Sequence, residues 1–229
     1  MEARDPDPRL HRRALDGLDR VHRLTGGIRL ALEPLRRAAV GRSGPLRLLD
    51  VGTGGGELGR SVAGRVRERG AVRPVLADLH PRTLTRARER AGRAAERGPA
   101  GVEPVFVRLS ADRLPFRTDS FDLALSATTL HHLERPAALA CLRELDRVAG
   151  GRWVVTDLRR SRTALAAIRL LSATLWRRNP YPRHDGPLSV RRAFTPVEVA
   201  EMLREAGLER ARVDRRGPVR LRAVGGGVP

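Results

Sequence analysis

Residues 46–59 have the sequence Leu46-Arg47-Leu48-Leu49-Asp50-Val51-Gly52-Thr53-Gly54-Gly55-Gly56-Glu57-Leu58-Gly59, and this stretch constrains the fold most. Its first half is a short apolar run that predicts a buried strand, and its second half is a turn dense in glycine. A helical pattern follows through Glu68. Glycines between a strand and a helix let the backbone approach a ligand closely, because no Cβ intervenes. The stretch therefore predicts a strand, a ligand-binding turn and a helix.

The same alternation of strand and helix continues downstream. Further strands are predicted at Pro74–Asp78, Val102–Leu109, Phe121–Ser126 and Arg152–Thr156, with helices at Arg82–Glu96 and Pro136–Val148. Strands separated by helix-length segments form right-handed βαβ units on a parallel sheet. The sequence predicts an α/β protein with a Rossmann-like sheet.

The two ends of the chain depart from this alternation. Helical spacing from Arg12 to Ala39, broken at Gly26-Gly27, predicts two leading helices. Near the other end, Thr195-Pro196-Val197-Glu198 predicts a capped helix that stops near Gly207. Short strands are then predicted at Leu208–Asp214 and Val219–Val224, joined by a turn at 215–218 into an antiparallel pair. We expect an N-terminal helical extension (1–40) and one main domain (41–229).

Composition limits the classes of function. The 229 residues include 45 basic and 26 acidic side chains, a net charge of +19, and 41% are hydrophobic, enough for a sizeable core. Every basic residue is arginine, and the chain contains no lysine. The charge therefore reflects a general compositional bias, and it is weak support for a nucleic-acid partner.

Cysteine content and apolar runs predict the compartment. Cys141 is the only cysteine, and we expect it to be an inert core thiol. No apolar stretch near the start of the sequence resembles a signal peptide. The longest apolar run, Ala164–Trp176, is too short to span a bilayer. We expect a cytoplasmic protein without a transmembrane segment.

The glycine turn fits two patterns. Gly54, Gly56 and Gly59 satisfy the G-x-G-x-x-G pattern of dinucleotide-binding proteins, but that pattern requires an apolar residue where Gly52 stands. The spacing acidic-x-Gly-x-Gly-x-Gly, which begins at Asp50, fits better. In this spacing the chain resembles the class I S-adenosylmethionine-dependent methyltransferases.

Three later segments extend the resemblance in the family's order. Asp78 ends the second strand, 28 residues after Asp50, where the family has an acidic residue that binds both ribose hydroxyls. A carboxylate accepts two such hydrogen bonds readily. Segment 110–116 resembles the family's adenine-binding segment, with Asp112 accepting from the amine, and segment 119–126 resembles its fourth-strand motif.

The resemblance implies a fold, a cofactor and a binding site. The fold is a seven-stranded, mainly parallel sheet with helices on both faces and a C-terminal antiparallel pair, and the cofactor is S-adenosyl-L-methionine. The implied cofactor-binding residues are Asp50, Gly52, Gly54, Gly56, Asp78, Leu79, Asp112, Arg113 and Ser126.

The segment after the fourth strand bears on the methyl acceptor. It has the sequence Ser126-Ala127-Thr128-Thr129-Leu130-His131-His132-Leu133, without the Pro-Pro-aromatic motif of nucleobase methyltransferases. Asn179-Pro180-Tyr181-Pro182 looks similar to that motif but follows the fifth strand, and we interpret it as a turn. The Leu130–Leu133 segment, with Phe121-Asp122 upstream, is similar to the ubiquinone/menaquinone-type branch of small-molecule methyltransferases. His131 or His132 is the candidate general base. Adjacent histidines without a third ligand do not predict a metal site.

Residues 159–194 are expected to form a substrate-side insertion or lid. The run Ala164–Trp176 is apolar almost all round, so it should be buried or pack over an apolar ligand. Trp176, Tyr181 and His184 are the candidate substrate residues. Simple core packing and a membrane-surface helix are the alternatives. We expect charge to influence substrate choice only at the arginines that flank this run and at Arg191-Arg192.

These observations predict an S-adenosylmethionine-dependent methyltransferase. Its acceptor would be an oxygen or carbon of a small aromatic, quinone-like or polyketide-like metabolite, as in secondary metabolism. Two alternatives stay open, an RNA methyltransferase and a non-catalytic nucleotide-binding protein. The sequence does not give the oligomeric state.

Overall fold

The computed structural model describes residue 17 and residues 26–38, 44–66, 72–95, 103–174, 176–177 and 180–227. Seven strands lie within them: β1 Leu46–Val51, β2 Val72–Asp78, β3 Val105–Arg108, β4 Phe121–Ala127, β5 Ala149–Leu158, β6 Arg212–Arg216 and β7 Arg220–Gly225. The α-helices within the same residues are α1 Gly27–Ala38, α2 Glu57–Val66, α3 Pro81–Ala95, α4 Arg135–Val148, α5 Arg162–Ala173, α6 Pro180–Arg192 and α7 Pro196–Glu205. A 3₁₀ helix spans Leu130–His132.

The strands form one sheet in the order β3-β2-β1-β4-β5-β7-β6. Neighbouring strands from β3 to β5 run parallel, and β7 is antiparallel to both β5 and β6. The strand order reverses between β1 and β4, and in such sheets the crevice outside the carboxyl ends at the reversal is where ligands bind. The prediction of a Rossmann-like, mainly parallel sheet with a C-terminal antiparallel pair is confirmed.

Alternate side chains of the buried strands build a core on each face of the sheet. On one face, Leu49 and Val51 pack with apolar residues of α4 and α7. On the other face, Leu46 and Leu48 pack with apolar residues of α1 and α2. Within the described residues, the predicted N-terminal extension thus contributes a core helix.

Cys141 lies on α4 in the first of these cores. It is a free, fully buried thiol. Burial raises the pKa of Cys141 to about 12, so the thiol stays protonated and unreactive at neutral pH. This agrees with the inert core thiol predicted from the sequence.

The last helix and strand differ in one respect from the prediction. The Thr195 and Glu198 capping box is present, and α7 ends just before Gly207, as predicted. The following strand begins at Arg212, four residues later than predicted. The helix end explains the delay, because the Leu208 N–H donates to the Leu203 carbonyl oxygen (2.9 Å) and the Ala211 N–H donates to the Leu208 oxygen (3.0 Å). These bonds wrap the chain around the end of the helix before it can pair as a strand.

Residues 159–194 differ from the prediction in two places. Helix α5 is buried on one face only: Ala164 and Ile168 face a small apolar cluster, whereas Leu170 is 66% exposed. The turn predicted at 179–182 is wrong for residues 180–182, because α6 begins at Pro180. Proline is compatible with a first helical turn, where backbone N–H groups lack intrahelical partners. Asn179 lies outside the described residues.

Among the helices of the described segments, none combines the length and the apolar character needed to cross a bilayer.

Candidate functional site

The glycine turn between β1 and α2 is held against the end of β2. The N–H groups of Gly52 and Thr53 both donate to the carbonyl oxygen of Ala77, at 2.8 and 2.9 Å. The Gly54 N–H donates to the Asp78 carboxylate at 3.1 Å. The sheet therefore brings the turn and Asp78 together, which is the arrangement that the resemblance to the methyltransferases implied.

Asp78 retains acceptor capacity for a ligand. One of its carboxylate oxygens accepts from Gly54, and the other accepts from the His80 N–H at 2.9 Å. Each oxygen has a second lone pair, so the carboxylate can still bind two hydroxyl groups. The neighbouring Leu79 is 50% exposed, so its apolar side chain is available for contact with a flat ring. These features fit the nucleoside part of S-adenosylmethionine.

Asp50 lies beneath the turn. It is buried, and its carboxylate accepts a hydrogen bond from the Thr53 hydroxyl at 2.6 Å. Burial raises the pKa of Asp50 to about 7, with a further contribution from the negative charge of Asp78, while hydrogen bonds from Thr53 and Gly59 oppose the shift. Asp50 thus stabilises the conformation of the turn, and it would affect cofactor binding indirectly, through that conformation.

The glycines of the turn meet different surroundings. Gly52 has φ +72°, and a Cβ at this position would lie 2.8 Å from Thr129 Cγ2 and closer still to its hydroxyl. Gly56 would bring a Cβ to 3.2 Å from that of Ala87. Gly54 has φ +55° and faces open space, with no described heavy atom within 4 Å of a built Cβ. Gly54 is therefore the glycine whose missing side chain leaves room for a ligand.

Replacing Gly52 by alanine should destabilise the fold. The left-handed backbone and the clash with Thr129 together predict a loss of about 2 to 4 kcal/mol in the free energy of unfolding. Gly54→Ala is the matched control, because an alanine there has the unfavourable left-handed backbone without a clash. Its expected loss in the free energy of unfolding is about 1 to 2 kcal/mol. Denaturant unfolding would measure both. Adding Thr129→Ala to Gly52→Ala should restore part of the loss, and no recovery would contradict this account of the contact.

The remaining predicted cofactor residues lie near the carboxyl ends of β3 and β4. Asp112 is half-buried and accepts a hydrogen bond from the Ser110 hydroxyl, while Arg113 is exposed and its backbone N–H donates to the Ser110 oxygen at 3.3 Å. Ser126 is buried opposite Val51, and its hydroxyl has no hydrogen-bond partner within the described residues. A buried hydroxyl without a partner at this edge of the sheet is consistent with a ligand contact.

His131 forms a buried pair with Asp157. Its Nδ1 lies 2.6 Å from Asp157 Oδ1, and its backbone N–H donates to Oδ2 at 3.1 Å. Burial opposes ionisation of Asp157, but the charge and hydrogen bonds of His131 and the Leu158 N–H outweigh that cost and lower the pKa of Asp157. The carboxylate occupies Nδ1 and leaves Nε2 as the ring nitrogen for another partner. A carboxylate that orients an imidazole in this way is typical of a general base.

His132 stands beside this pair at a cavity of about 520 Å³. Its ring centroid lies 4.1 Å from that of His131. Partial enclosure of the ring lowers the pKa of His132 to about 4, the positive charges of His131, Arg192 and His80 add to the effect, and Asp157 opposes it. His132 is therefore neutral at pH 7. The cavity is lined by His131, His132, Leu133, Glu134, Arg135, Arg192 and Phe194.

The cavity and the glycine turn are structurally linked. Thr129, which comes two residues before His131, fills the space left by the missing side chain of Gly52. The Thr129 hydroxyl donates to the Ala127 oxygen at 3.2 Å, so the segment after β4 is fixed at this position. The histidine pair and the predicted cofactor turn therefore lie at the same end of the sheet.

Two of the three predicted substrate residues, Trp176 and His184, are not among the described residues that line this cavity. Trp176 is buried in the small cluster with Ala164, Ile168 and Val190. His184 is exposed on α6, and the side chain of Tyr181 lies outside the described residues. Within the described residues, no group of three potential ligands could hold a metal ion.

The sequence interpretation missed Asp157 and Thr129. The carboxyl ends of parallel strands converge at one edge of the sheet, and Asp157 stands near the end of a predicted strand. That rule could have paired it with the histidines that follow β4. The contact of Thr129 with Gly52 had no such signal, because it depends on a loop conformation.

Comparisons with known proteins agree with this geometry. The family model described as a methyltransferase domain matches residues 48–150. The chain is 31% identical over 175 residues to a ubiquinone biosynthesis O-methyltransferase of Cereibacter sphaeroides, an alignment that covers 76% of this chain and 64% of the relative. A protein of the same name from Ruegeria pomeroyi is 30% identical, with 75% of this chain and 62% of the relative covered. The chain thus spans just under two thirds of the length of these relatives.

Solved structures resemble the whole fold. A SAM-dependent methyltransferase from Aquifex aeolicus aligns with a TM-score of 0.61 at 21% identity, covering 96% of this chain and 98% of that one. A structure from Methanococcus maripaludis, described as a putative S-adenosyl-L-methionine-dependent methyltransferase, aligns with a TM-score of 0.64 at 15% identity, covering 100% and 98%. These likenesses show that the chain has the fold of the S-adenosylmethionine-dependent methyltransferases, and its residues 48–150 match a methyltransferase domain.

Proposed function

We propose that this protein transfers a methyl group from S-adenosylmethionine to an oxygen or acidic carbon of a small aromatic, quinone-like or polyketide-like molecule. The observation that carries the proposal is the His131–Asp157 pair, which lies at the same end of the sheet as Asp78 and the glycine turn. The relatives named for ubiquinone biosynthesis O-methylation support an oxygen acceptor.

The cofactor would be held by groups from three strand ends. Asp78 would accept hydrogen bonds from the ribose hydroxyls, Leu79 would pack against the adenine, and Asp112 would accept from its amine. Gly54 leaves open space, so the backbone of the turn can come closest to a ligand there. When bound, S-adenosylmethionine supplies a methyl group on a positively charged sulfur, which keeps the bonding electrons when the acceptor takes the methyl.

The histidine pair would activate the acceptor. Nε2 of His131 takes the proton of a phenol or enol, and the buried Asp157 carboxylate stabilises the imidazolium that results. The acceptor is then a better nucleophile, because it carries a negative charge. His132 is neutral at pH 7 and would contribute a hydrogen bond rather than charge. The apolar side chains of Leu133 and Phe194 would contact an aromatic ring in the cavity.

The proposal places the reaction in the cytoplasm, in keeping with a single free thiol. An RNA acceptor and a non-catalytic role remain the alternatives. The test incubates the purified protein with S-adenosyl-[methyl-³H]methionine and, separately, a panel of phenols, total RNA or no acceptor. We expect the label to appear in a methylated product of the phenol, with one molecule of S-adenosylhomocysteine formed for each methyl group transferred. Label in RNA alone, or cofactor binding without transfer to any acceptor, would contradict the proposal.

A further inference from the structure

The charged groups around the cavity differ in whether they are already paired. Arg135 forms an ion pair with Glu205, with Nη2 2.8 Å from Oε2. Asp157 is bound to His131. The Arg192 side chain, by contrast, forms no ion pair or hydrogen bond with any residue in the described part of the chain, although it lines the cavity. Among the described residues, the guanidinium of Arg192 is therefore a cation of the cavity lining without a direct counter-ion.

No other charged group of the cavity lining pairs with Arg192 in the described part of the chain. Glu134, the acidic residue that lines the same cavity, is exposed and forms no ion pair with Arg192 there. His132 is neutral at pH 7, because burial lowers its pKa and the positive charges of His131, Arg192 and His80 add to the effect. A guanidinium presents paired N–H donors that match a carboxylate in geometry and charge.

The position of Arg192 also suits an acceptor bound beside the histidine pair. It is the last residue of α6, and α6 packs against the 3₁₀ helix that carries His131 and His132. Leu133 and Phe194 supply apolar surface in the same cavity. A cavity of about 520 Å³ accommodates a substituted aromatic ring.

We propose that the acceptor carries a carboxylate, which Arg192 binds while His131 takes the proton from a hydroxyl on the same molecule. This inference rests on the proposed function and adds to it the chemical class of the substrate, a hydroxylated aromatic acid. Arg192 is then a specificity-determining residue. Of the adjacent arginines predicted to influence substrate choice, Arg192 is among the described residues that line the cavity and Arg191 is not.

The test compares 3,4-dihydroxybenzoate with 3,4-dihydroxybenzamide, which has the same shape without the charge. Binding of each is measured by calorimetry with S-adenosylhomocysteine present, and kcat/KM is measured for methylation. The variants are Arg192→Gln, Arg192→Lys and Arg191→Gln. Arg191→Gln is the matched control, because both arginines are exposed in the last turn of the same helix.

We expect the wild type to favour the acid over the amide by at least about tenfold in Kd and in kcat/KM. Arg192→Gln should abolish that preference by raising Kd and KM for the acid, and both constants should change little for the amide. Arg192→Lys should restore part of it, and Arg191→Gln should behave as the wild type. A wild type without the preference, or one that binds neither compound, would overturn the inference, as would equal effects of Arg191→Gln and Arg192→Gln.

The same measurements separate this inference from the proposed function. If the acid binds through Arg192 and is not methylated, the carboxylate site stands and methyl transfer to such an acceptor is contradicted. If both compounds are methylated equally well, methyl transfer stands and the carboxylate site is contradicted.

Discussion

The variant His131→Gln should lose about 10²- to 10⁴-fold in kcat with the best phenolic acceptor, the range typical of removing a general base. The hydroxyl would then have to lose its proton to water, because the amide side chain of the variant has no basic nitrogen to accept it. Initial rates of S-adenosylhomocysteine formation with the same acceptor would measure the loss.

Two controls keep this result specific to the chemical step. His131→Gln should bind S-adenosylhomocysteine as the wild type does, because the cofactor contacts lie on Asp78 and the glycine turn. Asp157→Asn should also lower kcat, since an amide cannot stabilise the imidazolium as a carboxylate does. A His131→Gln variant with intact cofactor binding and full activity would show that His131 only shapes the loop.

The variant Asp78→Ala should weaken S-adenosylhomocysteine binding by about 100-fold. Two hydrogen bonds from ribose hydroxyls to a charged carboxylate, each worth about 1.5 kcal/mol or more, account for a loss of about 3 kcal/mol. The substitution also removes the bond that Asp78 accepts from Gly54, which further loosens the turn. Titration calorimetry would measure the change.

Asp122→Ala is the matched control for this prediction. Asp122 is an acidic residue on β4 that accepts a hydrogen bond from the Arg47 N–H at 2.8 Å, near the opposite ends of the strands. Its loss should leave cofactor affinity within about twofold of the wild type, because its hydrogen bonds to Arg47 lie at the end of β1 away from the turn. Equal affinities for Asp78→Ala and wild type would remove Asp78 from the site.

The first β-turn-α unit could be predicted because its signals are local. The apolar run 46–51 is bounded by glycines, and the strand β1 has the same limits in the structure as in the sequence prediction. The capping box at Thr195 was also local, since it depends on residues three positions apart. Asp78 was placed correctly beside the turn because parallel pairing brings the ends of β1 and β2 together.

The acceptor side could not be predicted in the same detail. His131 and Asp157 are 26 residues apart, and only the pairing of β4 with β5 brings them into contact. Helix α6 lies where prolines at 180 and 182 suggested a turn, so the sequence named Arg191 and Arg192 together and did not distinguish the one that lines the cavity. Trp176 looked like a ligand contact by composition, but it fills a small core between α5 and α6.

The most direct test of the central claim is a crystal structure of the wild-type protein with S-adenosylhomocysteine. The account predicts that both ribose hydroxyls lie within hydrogen-bond distance of the Asp78 carboxylate and that the sulfur faces the cavity lined by His131 and His132. The adenine should contact Leu79. A cofactor bound away from Asp78, or with its sulfur directed away from the histidines, would contradict the account.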